Sequence, residues 1–233
     1  MTETRNQPHA AVLAMRLVIC TVALCLAAHA AHAAPYGNYD ARHLFKPNSQ
    51  GGASIDATAL DRQLADLRQH AGNYPPIFDS SDDAISAKHD VTQLIGMMGA
   101  AVSGAQVPPE LLLRMGMLGA VGHNLDVAGA AAFAQSNFEK LLKTNPQHMQ
   151  GNLNFGIFLS GTNRAKEAVS FLTKAKSAGL VQASYALGMT YLALNDKAQA
   201  LVNLRAFQSA NPDDLNVAKL IEAIQSGKLE IRK

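Results

Sequence analysis

The sequence predicts an all-α chain in which antiparallel helix pairs stack into a solenoid and a last helix closes the stack. Three observations carry this expectation. Apolar residues recur at helical spacing over most of residues 56 to 226, and no stretch alternates as a half-buried strand would. Two segments of the C-terminal half superpose on one another in register. Gly, Asn and Pro interrupt the helical pattern at short, turn-like sites.

The N-terminus is of a different kind. Leu17 to Ala28 is an uncharged apolar run, preceded by Arg16 and followed by the small-residue stretch Ala28-His29-Ala30-Ala31-His32-Ala33-Ala34. That is the pattern of a secretory signal peptide over residues 1–33, cut after Ala33 or at Ala30. Its apolar core is about a dozen residues, against the ~20 that a spanning helix needs. The alternative is an inner-membrane anchor formed by residues 17–34. Met15-Arg16 abuts the apolar run as an n-region would, so translation starts at Met1 or at Met15. Both cysteines, Cys20 and Cys25, lie inside this segment, which leaves the exported chain without disulfides, thiolate chemistry or Cys-ligated metal. Ile19 and Leu24 precede them where a lipoprotein signal needs a small residue, so no lipid anchor is expected.

Composition narrows the function classes. A hydrophobic fraction of 48% with 16% charged residues is that of a folded globular chain. A formal net charge of +2, without a local Lys/Arg cluster, is too small to build a phosphate-binding stripe, so nucleic acid is excluded as a partner.

Residues 34–55 bear Gly, Asn, Pro and isolated aromatics (Tyr36, Tyr39, Phe45) without a regular period, and read as a mobile arm, or as a segment lying along the solenoid or a partner. Order is expected from Asp56, an N-cap, with Leu60, Leu64, Leu67 and Ala71 on one face and Gly72 as the stop. After Pro75-Pro76, Ser80 with Asp83 three residues on opens a second helix carrying Val91, Leu94, Ile95, Met98 and Val102. Asp79, Asp82 and Asp83 lack the alternating spacing and terminal Glu of a calcium loop, so capping explains them. These two helices are expected to stack as one pair over residues 56–104. Pro108-Pro109 then opens the repeat region, residues 105–227, and a tail follows at 228–233.

The repeat is explicit. Phe155-Gly156-x-x-Leu159 is followed by Ala168, Leu172 and Ala175; Leu187-Gly188-x-x-Tyr191 is followed by Ala200, Leu204 and Pro212, with the same Gly-to-Ala interval. Small residues facing one another let two helices approach, the large ones fill the space around the contact, and Pro212 stops the pair. A third copy is visible upstream in Ala134, Phe138, Leu141 and Pro146, where the large-Gly pair is Val121-Gly122 in strict register or Leu118-Gly119 with three extra residues. The segment Leu215 to Ile224, with Leu215, Val217, Leu220 and Ile221 on one side, reads as the capping helix.

This pattern resembles the tetratricopeptide repeat over residues 115 to 214, and the junction from Ala168 to Tyr191 is similar to its Sel-type variant, without that variant's Gly-rich insertion. The resemblance implies a right-handed α-solenoid whose concave face binds protein segments. Carried onto this chain, the family's groove positions are Gln150, Leu153, Ile157 and Ser160 on one helix and Gln182, Tyr185, Met189 and Leu192 on the next. They form an apolar surface with amide edges and lack the Lys and Asn that clamp a terminal carboxylate in some members, so an amphipathic or apolar segment is the expected ligand.

No P-loop, G-x-S-x-G, H-E-x-x-H or dinucleotide fingerprint occurs. His43, His70, His89, His123 and His148 lie at no metal-ligand spacing, so neither catalytic residues nor metal or other cofactors are expected. What remains is a periplasmic protein-binding scaffold or assembly factor for cell-envelope or secretion machinery. The alternative is a chaperone-like binder of a single exported hydrophobic client.

Overall fold

The computed structural model describes residues 35–47, 53–101 and 107–228. The expected signal peptide, or anchor, and most of the C-terminal tail lie outside these residues. Among the described residues a single 3-10 turn, Ala41–Leu44, and two short strands, β1 (Phe45–Pro47) and β2 (Ala53–Ile55), precede nine helices. They are α1 (Ala57–Ala71), α2 (Ser81–Ala101), α3 (Pro109–Asn124), α4 (Ala130–Thr144), α5 (Met149–Gly161), α6 (Ala165–Ser177), α7 (Val181–Ala193), α8 (Lys197–Ala210) and α9 (Leu215–Gln225). The helix pairs α3–α4, α5–α6 and α7–α8 each pack along their lengths, and successive pairs stack. Among the described residues the chain is an all-α solenoid of stacked helix pairs.

Caps set the helix starts where the sequence places them. The Asp56 carboxylate accepts from the Ala59 N–H at 3.1 Å, Ser80 Oγ from the Asp83 N–H at 3.1 Å, and Asp214 Oδ1 from the Asn216 and Val217 N–H groups at 3.0 and 3.1 Å. Pro109 stands at the first position of α3, where its missing N–H costs nothing. On α9 the buried residues are Val217, Ile221 and Ile224. Leu215 was expected on that side, but at the first position of the helix it is exposed.

The clear repeats pair as expected. A Cβ built on Gly156 would stand 2.6 Å from Leu172 Cγ, and one on Gly188 2.6 Å from Leu204 Cγ, so each glycine receives the leucine of the partner helix. The turns repeat too. Asn163 and Asn195 are both left-handed (φ 62° and 60°), and the backbone bonds Arg164 N to Leu159 O and Asp196 N to Tyr191 O occupy the same place in each copy.

The same turn settles the register of the upstream copy. Asp126 is left-handed at φ 55°, and Val127 N donates to Gly122 O at 2.8 Å. Aligning Asp126 with Asn163 aligns Leu118-Gly119 with Phe155-Gly156, and places the three extra residues between Asp126 and the body of α4. Three glycines of α3 then face α4 in succession: Gly122 meets Ala130, Gly119 meets Ala134 and Gly116 meets Phe138.

Two expectations for the N-terminal region are corrected. The first concerns residues 34–55, read as a mobile arm. Tyr36, Ala41 and Leu44 are buried in one cluster with α1, α2 and α3, and β1 pairs antiparallel with β2 in the register Phe45–Ile55, Lys46–Ser54, Pro47–Ala53. Strands of three residues are too short to show an alternation, and a segment that docks by isolated aromatics has no period to read. The second concerns α1 and α2, which do not close on one another as the later pairs do; each packs instead on α3. Helix α1 runs beside α3 in the same direction, tied by Arg114 to Asp61 (Nε–Oδ1 2.6 Å) and by Asn124 Nδ2 to the Ala71 carbonyl (2.9 Å). It thus takes the place of a first helix in the layer α1, α3, α5, α7. The space between it and α2 is filled by the N-terminal segment.

Candidate functional site

The layer of first helices presents one stripe of α5 and one of α7 to solvent. On α5 the stripe carries Gln150 and Ile157, both exposed, with Asn154 half-buried between them; Ile157 is 42% exposed. Asn154 Nδ2 donates to the Gln150 carbonyl at 2.8 Å, which holds the two carboxamides side by side along the helix. The matching positions of α7 are Gln182, exposed, and Ala186 and Met189, half-buried. None of these six side chains is ionisable. At the head of α5, His148 Nδ1 accepts from the Gly151 N–H (3.1 Å), so its Nε2 carries the proton and donates to Glu110 Oε1 on α3 (3.2 Å). That pair links the heads of adjacent first helices.

Of the residues expected to line the groove, Gln150, Ile157 and Gln182 are exposed in it and Met189 is partly so. Leu153 and Leu192 are not groove residues: both are buried in the core clusters of the second and third pairs. Leu153 lies under the pair that follows, and Leu192 points toward α8 and α9. Tyr185, the counterpart of Leu153 one repeat on, is 39% exposed because the α7–α8 pair is followed by a single helix, α9, instead of a further pair. Its ring lies 5.3 Å from that of Phe207, and with Val217 and Leu220 of α9 it lines a depression of about 230 Å3 facing the end of the solenoid. Ser160 is half-buried, 3.1 Å from the Thr190 hydroxyl. Asn154 and Ala186 were missed by the family positions. The α5 exposure pattern at 150, 154 and 157 is the simple i, i+4, i+7 stripe that would have found Asn154.

A second polar cluster lies beneath the N-terminal segment. The Tyr36 hydroxyl donates to Asp90 Oδ2 at 3.0 Å, and the Gln63 carboxamide approaches both at 3.5 and 3.4 Å. The Gly37 N–H and the Tyr39 hydroxyl both donate to Asp66 Oδ2, at 2.9 and 2.8 Å. His70 donates from Nδ1 to the Ile77 carbonyl (3.2 Å), and its ring stacks on Phe78 at 5.1 Å. Burial and the Asp66 carboxylate push the Tyr39 hydroxyl up to about 12, and burial raises the Asp90 carboxyl above the ordinary carboxylate range.

The sign of the Asp90 effect makes a prediction. A raised native pKa means that the folded state holds the proton more tightly than the unfolded one, so the contribution is full below the ordinary carboxylate pKa and declines as pH rises through the folded value. Asp90 faces Tyr36 and Gln63, with His89 and Asp40 near enough to act through charge. Asp90→Asn keeps an acceptor for Tyr36 and loses the charge. Between about pH 4 and pH 7 the Asn variant should therefore gain on the wild type in melting temperature. A gap that stays constant or shrinks would show that Asp90 is ionised at no cost.

Among the described residues no group of three or more His, Cys, Asp or Glu side chains stands as metal ligands would, and no helix is long and apolar enough to cross a membrane. No family model and no curated protein matches the chain. Among solved structures, the crystal structure of YrrB, a TPR protein with an unusual peptide-binding site, aligns over 71% of this chain and 84% of that one, at 18% identity and a TM-score of 0.49.

Proposed function

We propose that the groove across α5 and α7 binds an uncharged apolar or amphipathic protein segment, and that the protein serves in the periplasm as a scaffold or assembly factor for cell-envelope or secretion machinery. The observation that carries this reading is Ile157, a β-branched apolar side chain left exposed between carboxamides on a stripe without charge. Carboxamides donate and accept, so they suit a peptide backbone of either direction, while the apolar centre takes one side chain. The export expected from residues 1–33 supplies the compartment. The chaperone-like reading, a single hydrophobic client, is favoured by Met149 and Val181, exposed at the heads of the same two helices, which widen the apolar area beyond one anchor.

Asn154→Ala with Ile157→Ala should weaken partner binding by about 2 kcal/mol, roughly thirtyfold, because a few desolvated anchors carry most of an interface's energy. The melting temperature should be unchanged, since Ile157 belongs to no core cluster. Cross-linked pull-downs from the periplasm, wild type against this variant, check the first point, and thermal melting of the two purified proteins checks the second. Several envelope proteins lost together indicate a scaffold, and one unfolded client indicates a chaperone. Unaltered capture by a folded variant places the partner elsewhere. Tyr185→Ala is a poor probe of this groove, because its ring contact with Phe207 makes it part of the α7–α9 packing.

A further inference from the structure

The walls of the space between α1 and α2 are polar where a purely structural wedge would want them apolar. Gln63 is 1% exposed and Asp90 8%, and their hydrogen-bond partner from outside the two helices is the Tyr36 hydroxyl. Asp66 spends one oxygen on two donors, the Gly37 N–H and the Tyr39 hydroxyl, both from the same short segment. The Tyr36 ring stands edge-on to His70 and Phe78, at 6.1 and 6.4 Å, so the floor of the space is aromatic. Withdrawn from these partners, Asp90 and Gln63 would keep only their 3.4 Å contact with one another and Asp66 only the neighbouring His70 Nε2, 3.3 Å from its second oxygen, in a site largely screened from water, and a phenylalanine in place of either tyrosine would replace none of the lost donors. The segment itself is matched to the space at a third residue. A Cβ on Gly37 would stand 2.7 to 2.9 Å from the end of the Tyr39 side chain, so the absence of a side chain at Gly37 leaves the room in which the Tyr39 hydroxyl reaches Asp66.

We propose that the slot between α1 and α2 is a peptide-binding site in its own right, selective for the pattern Tyr-Gly-x-Tyr and occupied here by the chain's own residues 36–44. Recognition is by hydroxyl and N–H donation to two wall carboxylates, with Gln63 orienting the deeper one. This explains why α1 and α2 stand apart while the three later pairs close on themselves: their contact surface is reserved for an extended segment. The site differs in place and chemistry from the uncharged α5–α7 groove and does not depend on what that groove binds. Beside it a cleft of about 750 Å3 opens between Asn38–Arg42 and the Thr92, Gln93 and Gly96 face of α2, giving the flank of a bound segment access to solvent.

The test keeps the whole chain and makes the occupant exchangeable. A recognition sequence for a specific protease is placed between Pro47 and Ala53, the protein is cut while folded, and a labelled synthetic peptide of residues 35–47 is added. The cut protein should remain folded with its N-terminal fragment bound, and the labelled peptide should exchange into it. A peptide with Tyr36→Phe and Tyr39→Phe should compete at least tenfold less well, and one with Gly37→Ala likewise. Equal competition by the phenylalanine peptide would overturn the proposal, because it reduces the segment to an apolar wedge. So would a cut protein that refuses exchange or unfolds as the fragment leaves, since the segment would then be ordinary core. Ile157→Ala should leave the exchange untouched, which separates this site from the groove.

Discussion

Gly119→Ala should destabilise the protein by about 3 kcal/mol, the upper end of what overpacking costs, whereas Gly188→Ala should cost about 1 kcal/mol. The added methyl group is the same; the obstacle differs. At Gly188 it meets the Cγ and Cδ2 of Leu204, a side chain that can change rotamer. At Gly119 it meets Ala134 N at 2.6 Å, Ala130 O at 2.8 Å and Ala134 Cα at 2.8 Å, all backbone of α4, so the whole helix must move. Moving α4 would disturb Phe138 and the seam to α5. Gly96→Ala is the control: its Cβ meets nothing within 4 Å, pointing into the open cleft beside α2, and the better helix former should gain about 0.5 to 1 kcal/mol. Urea midpoints at constant slope give all three values. A Gly119→Ala protein that unfolds with the wild type would mean that the two helices do not approach there, and the placement of the three extra residues would fail with it.

What the sequence shows of this fold follows from how periodic each part is. Repeats display themselves because the same physical contact recurs, as Gly156 with Leu172 recurs as Gly188 with Leu204. In the upstream copy three glycines share the contact instead of one. A pattern search could then find two glycines for one place, and only the left-handed turn at Asp126 decided between them. The N-terminal segment was opaque for the opposite reason. It docks through hydroxyls and one N–H at irregular spacing, and its partners, Asp66 and Asp90, lie on two different helices as ordinary-looking surface charges in the sequence.

The groove was half legible. Of the expected positions, Gln150, Ile157 and Gln182 are exposed, because helical phase carries over between repeats of equal length. They misplaced Leu153 and Leu192, because those positions are open only where the next pair leaves them so. That depends on the stacking of neighbours, which no single repeat encodes. Tyr185 shows the same dependence in reverse: it is exposed because the stack ends in one helix.

Phe138→Ala should cost about 3 to 5 kcal/mol, a large part of the ~5–15 kcal/mol that stabilises a typical domain. Phe138 occupies the place of Leu172 and Leu204 in the later copies, and Gly116 makes room for the larger ring: a Cβ there would stand 2.6 Å from it. The ring reaches past its own pair to Phe155 and Phe158 of α5, at 5.5 and 6.3 Å, so one side chain serves both the contact within a pair and the contact between pairs. In a solenoid each pair is stabilised by its neighbours alone, so damage at this joint should split the unfolding and not merely shift it. The expected result is a first transition in which amides of α1 to α4 lose protection from hydrogen exchange, and a second in which α5 to α9 follow. Phe138→Leu restores the residue that the other copies use and should cost about 1 kcal/mol, with the transition still single. If Phe138→Ala instead lowers protection evenly along the chain, the pairs are coupled through more than this aromatic joint, and the ring contributes only its own burial.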